Sequence, residues 1–90
     1  MVYKIATTKR FDKEYAKLLP ADRELAKQVI NRLAKDEVLE PKYRDHPLKG
    51  DYAGFWDCHV KPDLVLIYSK HKDALLLTAF RINSHSELFS

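Results

Sequence analysis

Three histidines and one aspartate have the residue types that acid–base chemistry needs: His46, His59 and His85, with Asp63 at the head of an apolar run. Imidazole donates or accepts a proton near neutral pH, and a carboxylate can orient it or act as a base. His59 and Asp63 flank a Lys61-Pro62 pair within the stretch WDCHVKPDLVLIY at 56–68. There the chain sets its most apolar run against its densest cluster of titratable groups, Asp57 included. The fourth histidine, His71, lies between Lys70 and Lys72 and reads as an exposed bystander. Each candidate also has a bland account. His46 before Pro47 can order a loop, His59 can be a half-buried strand residue, Asp63 can form a turn, and His85 can cap the tail.

Other chemistries are less well supplied. No HExxH pair is present and the histidines are scattered across loops, so no metal and no cofactor are expected. Cys58 is the only cysteine, and its position in an apolar alternation reads as a packed thiol. A GxSxG elbow is absent, and two glycines, Gly50 and Gly54, are too few for a phosphate-cradling loop.

The elements that must position these residues follow from hydrophobic period. Residues 2–6 read as a short strand. Thr7 and Thr8 are candidate N-caps for a helix with Phe11, Tyr15, Leu18 and Leu19 on one face, which Pro20 interrupts. A second helix is expected from about Asp22, with Leu25, Val29, Ile30 and Leu33 inward, so the two form a helical hairpin. Residues 37–51, broken by Pro41, Pro47 and Gly50, read as a loop or short edge strand. Residues 55–60 alternate, with Trp56, Cys58 and Val60 on one side and Phe55, Asp57 and His59 on the other. Leu64 to Tyr68 lack alternation, which places that strand centrally. A last strand at 74–82 groups Leu76, Thr78, Phe80 and Ile82, with Arg81 and Ala79 opposite, and a polar tail at 83–90 is anchored by Leu88 and Phe89. The order predicts an α+β domain over 1–90, a strand, a helical hairpin and an antiparallel β-meander, with the helices on one face of the sheet.

Ninety residues with 46% hydrophobic content suffice for one core. MVYKIATTKRF lacks the apolar core of a signal peptide, and no segment has the apolar length of a membrane span, so a cytoplasmic protein with no membrane partner is expected. The net charge of +3 is unevenly spread: residues 1–36 hold nine cations against five carboxylates, residues 37–63 four against six. A basic N-terminal face can attract a polyanion, although it is also what an ordinary solvated helix face looks like.

Three segments, DHPLKG at 45–50, DCHVKPDLVLIY at 57–68 and SHSELF at 84–89, together resemble the YafQ branch of the RelE/ParE superfamily of bacterial toxins. The resemblance implies a ribosome-dependent mRNA endonuclease restrained by a cognate antitoxin, so that antitoxin, mRNA and ribosome are the expected partners. It places the family's catalytic positions on His46, His59, Asp63 and His85, and its terminal aromatic on Phe89. Cleavage would use 2′-hydroxyl attack without a metal, with His85 as acid and phosphate contact, and His46 and Asp63 acting on the 2′-hydroxyl with support from His59. Phe89 would position a base, while Arg81, Lys61 and Lys49 are further substrate-binding candidates, and the basic hairpin would dock on ribosomal RNA. Trp56 and Leu64 depart from the family pattern, which commonly has arginine and tryptophan there. The competing expectations are a gyrase-directed toxin of the same fold and a plain nucleic-acid-binding module.

Overall fold

A computed structural model describes residues 2–89; Met1 and Ser90, the two ends of the expected domain, lie outside the described residues. Among the described residues five strands and three α-helices occur in the order β1 (Lys4–Thr7), α1 (Lys9–Ala16), α2 (Pro20–Ala34), β2 (His46–Pro47), β3 (Trp56–Lys61), β4 (Leu64–His71), β5 (Leu76–Asn83) and α3 (His85–Phe89), with single 3-10 turns at Pro41–Tyr43 and Gly50–Tyr52. The sheet order is β1-β5-β4-β3-β2. All neighbours are antiparallel except β1, which runs parallel to β5.

Thr8 starts α1. Its Oγ1 accepts the Phe11 N–H at 3.0 Å and donates to the Phe80 carbonyl at 2.7 Å, so one hydroxyl caps the helix and ties it to β5. The helix ends at Ala16, short of the expected break, and Pro20 opens α2 instead of interrupting α1. Proline is well tolerated there, because the first-turn amide it lacks would have no intrahelical acceptor. The early stop turns Leu19 outward, 69% exposed, and Leu25 is also 41% exposed, so neither packs inward as the period suggested. In their place α2 buries Ala26, Val29, Ile30, Leu33 and Ala34.

β4 is the axis of the sheet. Its residues Leu64, Val65, Leu66, Ile67, Tyr68 and Ser69 are all buried, as a lack of alternation requires when both faces are covered. Leu66 and Tyr68 join Cys58, Val60, Leu77, Ala79 and Ile82 under α1 and α2. Val65 and Ile67 point the other way, to Leu88 of α3, with Leu48, Tyr52, Phe55, Phe80 and Phe89 around them. Full burial of each such side chain is worth roughly 1.5–3 kcal/mol.

Two expectations are corrected here. The parity of β5 is broken by a bulge: Ile67 faces Arg81 but Tyr68 faces Ala79, so Phe80 is the extra residue. Ile82 therefore shares a face with Leu77 and Ala79, and Phe80 lies with the opposite cluster. The polar tail is a five-residue helix, and its buried Leu88 covers the face that α1 and α2 leave open.

Candidate active site

His46 reaches the sheet on β2, a strand of only two residues. Arg44, in the left-handed region at φ 49, turns the chain so that its carbonyl oxygen lies 2.5 Å from His46 Nδ1. A carbonyl can only accept, so Nδ1 carries a proton, and in the neutral ring Nε2 is the nitrogen left to accept one. The approach is held from behind by Asp45, which accepts a hydrogen bond from the buried Tyr68 hydroxyl. Gly50, at φ 68, closes the same loop with a conformation that glycine adopts without strain.

Across the ladder from His46 stands Asp57, with its Oδ1 3.0 Å from His46 Nδ1. The Nδ1–H is already given to Arg44, so Asp57 Oδ1 meets the ring as a nearby charge and has no hydrogen-bond donor of its own among the described residues. Asp57 is 3% exposed. Burial pushes its carboxyl above the usual aspartate value, and His46, His59 and His85 act in the opposite direction when their rings are protonated. All three imidazoles therefore lie within electrostatic reach of one buried carboxylate.

His59 is two residues along β3 and on the same side of the pleat, with Nδ1 3.3 Å from the Pro62 carbonyl oxygen in the β3–β4 turn. Asp63 is exposed in that turn. His85 opens α3 and is also exposed; its ring lies 4.8 Å from that of Phe89, which in turn meets Tyr52 edge-on at 5.9 Å. The structure thus sets His46 against Asp57 and leaves His59 and His85 within electrostatic reach of the same carboxyl, with Asp63 exposed in the turn and Phe89 as a half-buried shelf beside His85.

The cationic candidates differ in how free they are. Arg81 is held by Glu14 of α1, Nη2 to Oε2 at 2.7 Å and Nε to Oε1 at 3.3 Å, with its side chain 12% exposed. Glu14 also accepts from the Ile82 amide and from Asn83 Nδ2. Its carboxyl is pushed up by burial but lies, on balance, below the usual range because Arg81, Asn83 and Ile82 all bond to the charged form. Lys61 pairs with Asp22 of α2 at 2.9 Å. Lys49 is exposed, with no ion-pair partner among the described residues. Lys9, Arg10, Lys13 and Lys17 line a groove of about 700 Å³ between α1 and the β5–α3 segment. His71 ends β4, exposed as expected, and Cys58 is fully buried, with its thiol pushed up by burial and by the charges of Asp45 and Asp57.

Asp57 is the residue of this site that no sequence motif singles out. It counted among the titratable groups of 56–68, but its weight comes from β2 lying alongside, a pairing between segments that no local pattern marks.

No three histidine, cysteine, aspartate or glutamate side chains converge at ligand distance among the described residues. No described helix is long and apolar enough to cross a membrane.

The chain is 49% identical over 51 residues to the mRNA interferase toxin YafQ of Escherichia coli strain K12, an overlap covering 57% of this chain and 53% of that protein. It thus spans about half the length of this curated relative. Over whole structures the likeness is broader. The metal-bound toxin from Helicobacter pylori is 45% identical with a TM-score of 0.87, covering 99% of this chain and all of that one. YafQ from the E. coli DinJ-YafQ toxin-antitoxin complex is 29% identical with a TM-score of 0.82, covering 100% of both chains. The family described as the bacterial toxin of type II toxin-antitoxin systems, YafQ, matches residues 3–90, and the chain belongs to that family.

Proposed function

We propose that this chain is an mRNA interferase that cleaves mRNA on the ribosome by attack of the 2′-hydroxyl on the adjacent phosphate, without a metal. The observation that carries this reading is His46 set 3.0 Å from the buried Asp57, with the Nδ1 atoms of His46 and His59 each facing a backbone carbonyl so that Nε2 is left free. Such a set can serve both proton transfers of the reaction. His46 Nε2 takes the 2′-hydroxyl proton, and Asp57 stabilises the imidazolium that forms. The 2′-oxygen bonds to phosphorus as the bond to the 5′-oxygen breaks, and His85 gives its proton to that leaving oxygen. His59 and Asp63 contact the ribose from the β3–β4 turn, and Phe89 with His85 supports a base by stacking. Lys49 meets the phosphate, as does Arg81 where its pairing with Glu14 leaves a guanidinium edge free.

The partner we propose is a cognate antitoxin, in keeping with the toxin-antitoxin complex of the E. coli relative. The cytoplasm is the compartment in which ribosome and antitoxin would be met. The cations of α1 and α2 supply the docking face for ribosomal RNA, which the charge imbalance of residues 1–36 supports.

The test is cleavage of mRNA on translating ribosomes in the presence of EDTA at constant magnesium activity, with the product ends mapped. The expected products carry a 2′,3′-cyclic phosphate and a 5′-hydroxyl, and His85→Gln abolishes them. A 5′-phosphate, or full activity without His85, overturns the mechanism. Growth arrest without cleaved mRNA would instead mark a toxin that acts by binding.

A further inference from the structure

We infer that Glu14 is a positioning residue for His85, acting from the first helix through Asn83 on the start of α3. This rests on the nuclease reading above, in which His85 is the acid. Five residues make little more than one helical turn, too little to hold its own conformation, so the aim of His85 depends on what fixes the ends of α3. The far end is fixed by Leu88, buried against Val65 and Ile67. Within the first turn the His85 ring has no hydrogen bond of its own among the described residues and lies 4.8 Å from the Phe89 ring of the same short helix, so its backbone must place it.

That backbone is reached by a relay of hydrogen bonds from α1. β1 pairs with β5 only as far as Ala79 and Thr8 Oγ1 takes the Phe80 carbonyl, so beyond Phe80 no strand among the described residues covers the outer edge of β5. Glu14 fills the edge: Oε1 accepts the Ile82 amide at 3.2 Å, as the carbonyl of a longer β1 would have done. Oε2 accepts Asn83 Nδ2 at 3.0 Å, which orients the amide so that Asn83 Oδ1 accepts the Ser84 N–H at 2.8 Å. Ser84 Oγ then accepts the Glu87 N–H at 3.3 Å, capping the turn that begins with His85. Glu14 is 11% exposed and receives four donors, two of them from the residues that lead into α3. A carboxylate needed only to neutralise Arg81 would not require the last two.

The experiment measures steady-state cleavage and the His85 imidazole NMR resonance in Glu14→Gln, Asn83→Ala, their double variant, and Glu14→Gln combined with Asn83→Asp. The last exchanges donor and acceptor across the contact. Each single change should lower kcat by about tenfold or more and KM by less than about twofold, since misplacing a reacting group acts on the chemical step. The double variant should be no worse than the poorer single, and the exchanged pair should recover most of the loss. The His85 resonance should shift or broaden in the single variants and return in the exchanged pair, while that of His71, far from the relay, stays in place. Losses that multiply, losses confined to KM, or an exchanged pair no better than Glu14→Gln overturn the inference. Asn83→Ala keeps the Arg81–Glu14 pair and decides the matter if Glu14→Gln does not fold. A wild-type chain that cleaves nothing refutes the nuclease reading alone. The His85 resonance then tests the positioning by itself, and an unmoved signal in the folded variants refutes it.

Discussion

Asp57 and His46 face each other across a two-residue strand, with 3.0 Å between a buried carboxylate oxygen and an imidazole nitrogen whose proton is given elsewhere. The pair is electrostatic, and it puts the charge-stabilising group beneath the ring on the side away from the free Nε2.

Asp57 should therefore trade stability for activity. Its folded-state pKa is raised by burial, so the fold disfavours its charged form. The associated stability is fully present below the unfolded pKa and is lost as pH rises through the higher folded value. Asp57→Asn should raise the melting temperature at pH 7, by roughly the 4–8 °C that about 1 kcal/mol represents in a domain of this size, and the gain should shrink toward pH 4. Cleavage should fall in the same variant. Melting curves across pH check the first half, and an unchanged or lowered Tm at pH 7 refutes it.

His46→Gln removes the proposed base while leaving β2 intact. The expected loss in kcat is about 10²–10⁴-fold, the usual worth of a positioned proton-transfer group, with little change in melting temperature because the ring is half exposed. The two ring-nitrogen chemical shifts of His46 should report the Nδ1-protonated tautomer, and an Nε2-protonated ring would refute the assignment.

Reversing charge at Lys13, Lys17 and Lys27 should weaken ribosome binding. The salt dependence should also flatten, by about 0.7–0.9 in log–log slope for each phosphate that is no longer neutralised. Lys13 and Lys17 line the groove beside α1, and Lys27 lies on α2, so the three sample both helices of the basic face. Binding curves at several salt concentrations give the answer, and an unaltered slope means the docking face lies elsewhere.

Leu66→Ala and Leu88→Ala should separate the fold from the site. Leu66 is fully buried in the helix-side core, so its truncation should cost about 2–5 kcal/mol. Leu88 anchors α3 alone; its loss should cost less in global stability, yet reduce cleavage more, by freeing His85. Denaturant unfolding beside cleavage rates tests the contrast.

How far the sequence discloses this arrangement depends on the range of the interaction. The face of β3 that carries Asp57 and His59, the central place of β4 and the cap at Thr8 follow from alternation, unbroken apolarity and hydroxyl chemistry within a few residues, and the structure agrees. The parity of β5 does not, because its bulge arises from pairing with β4. The helical form of α3 is hidden because five residues are too few to show a period. Arg81 looks like a free phosphate ligand until Glu14, 67 residues away in the chain, is found beside it.

The double burial of β4 also divides the molecule by how it opens. Its amides, covered on both sides, should exchange with solvent only when the whole domain unfolds. His46 and His85 sit instead on a two-residue strand and a single helical turn, which can loosen while the sheet stays intact. His59, on a strand hydrogen-bonded to β4, should exchange with the sheet. Two of the three imidazoles thus sit on the elements with the fewest backbone hydrogen bonds, whose amides should exchange well before those of β4.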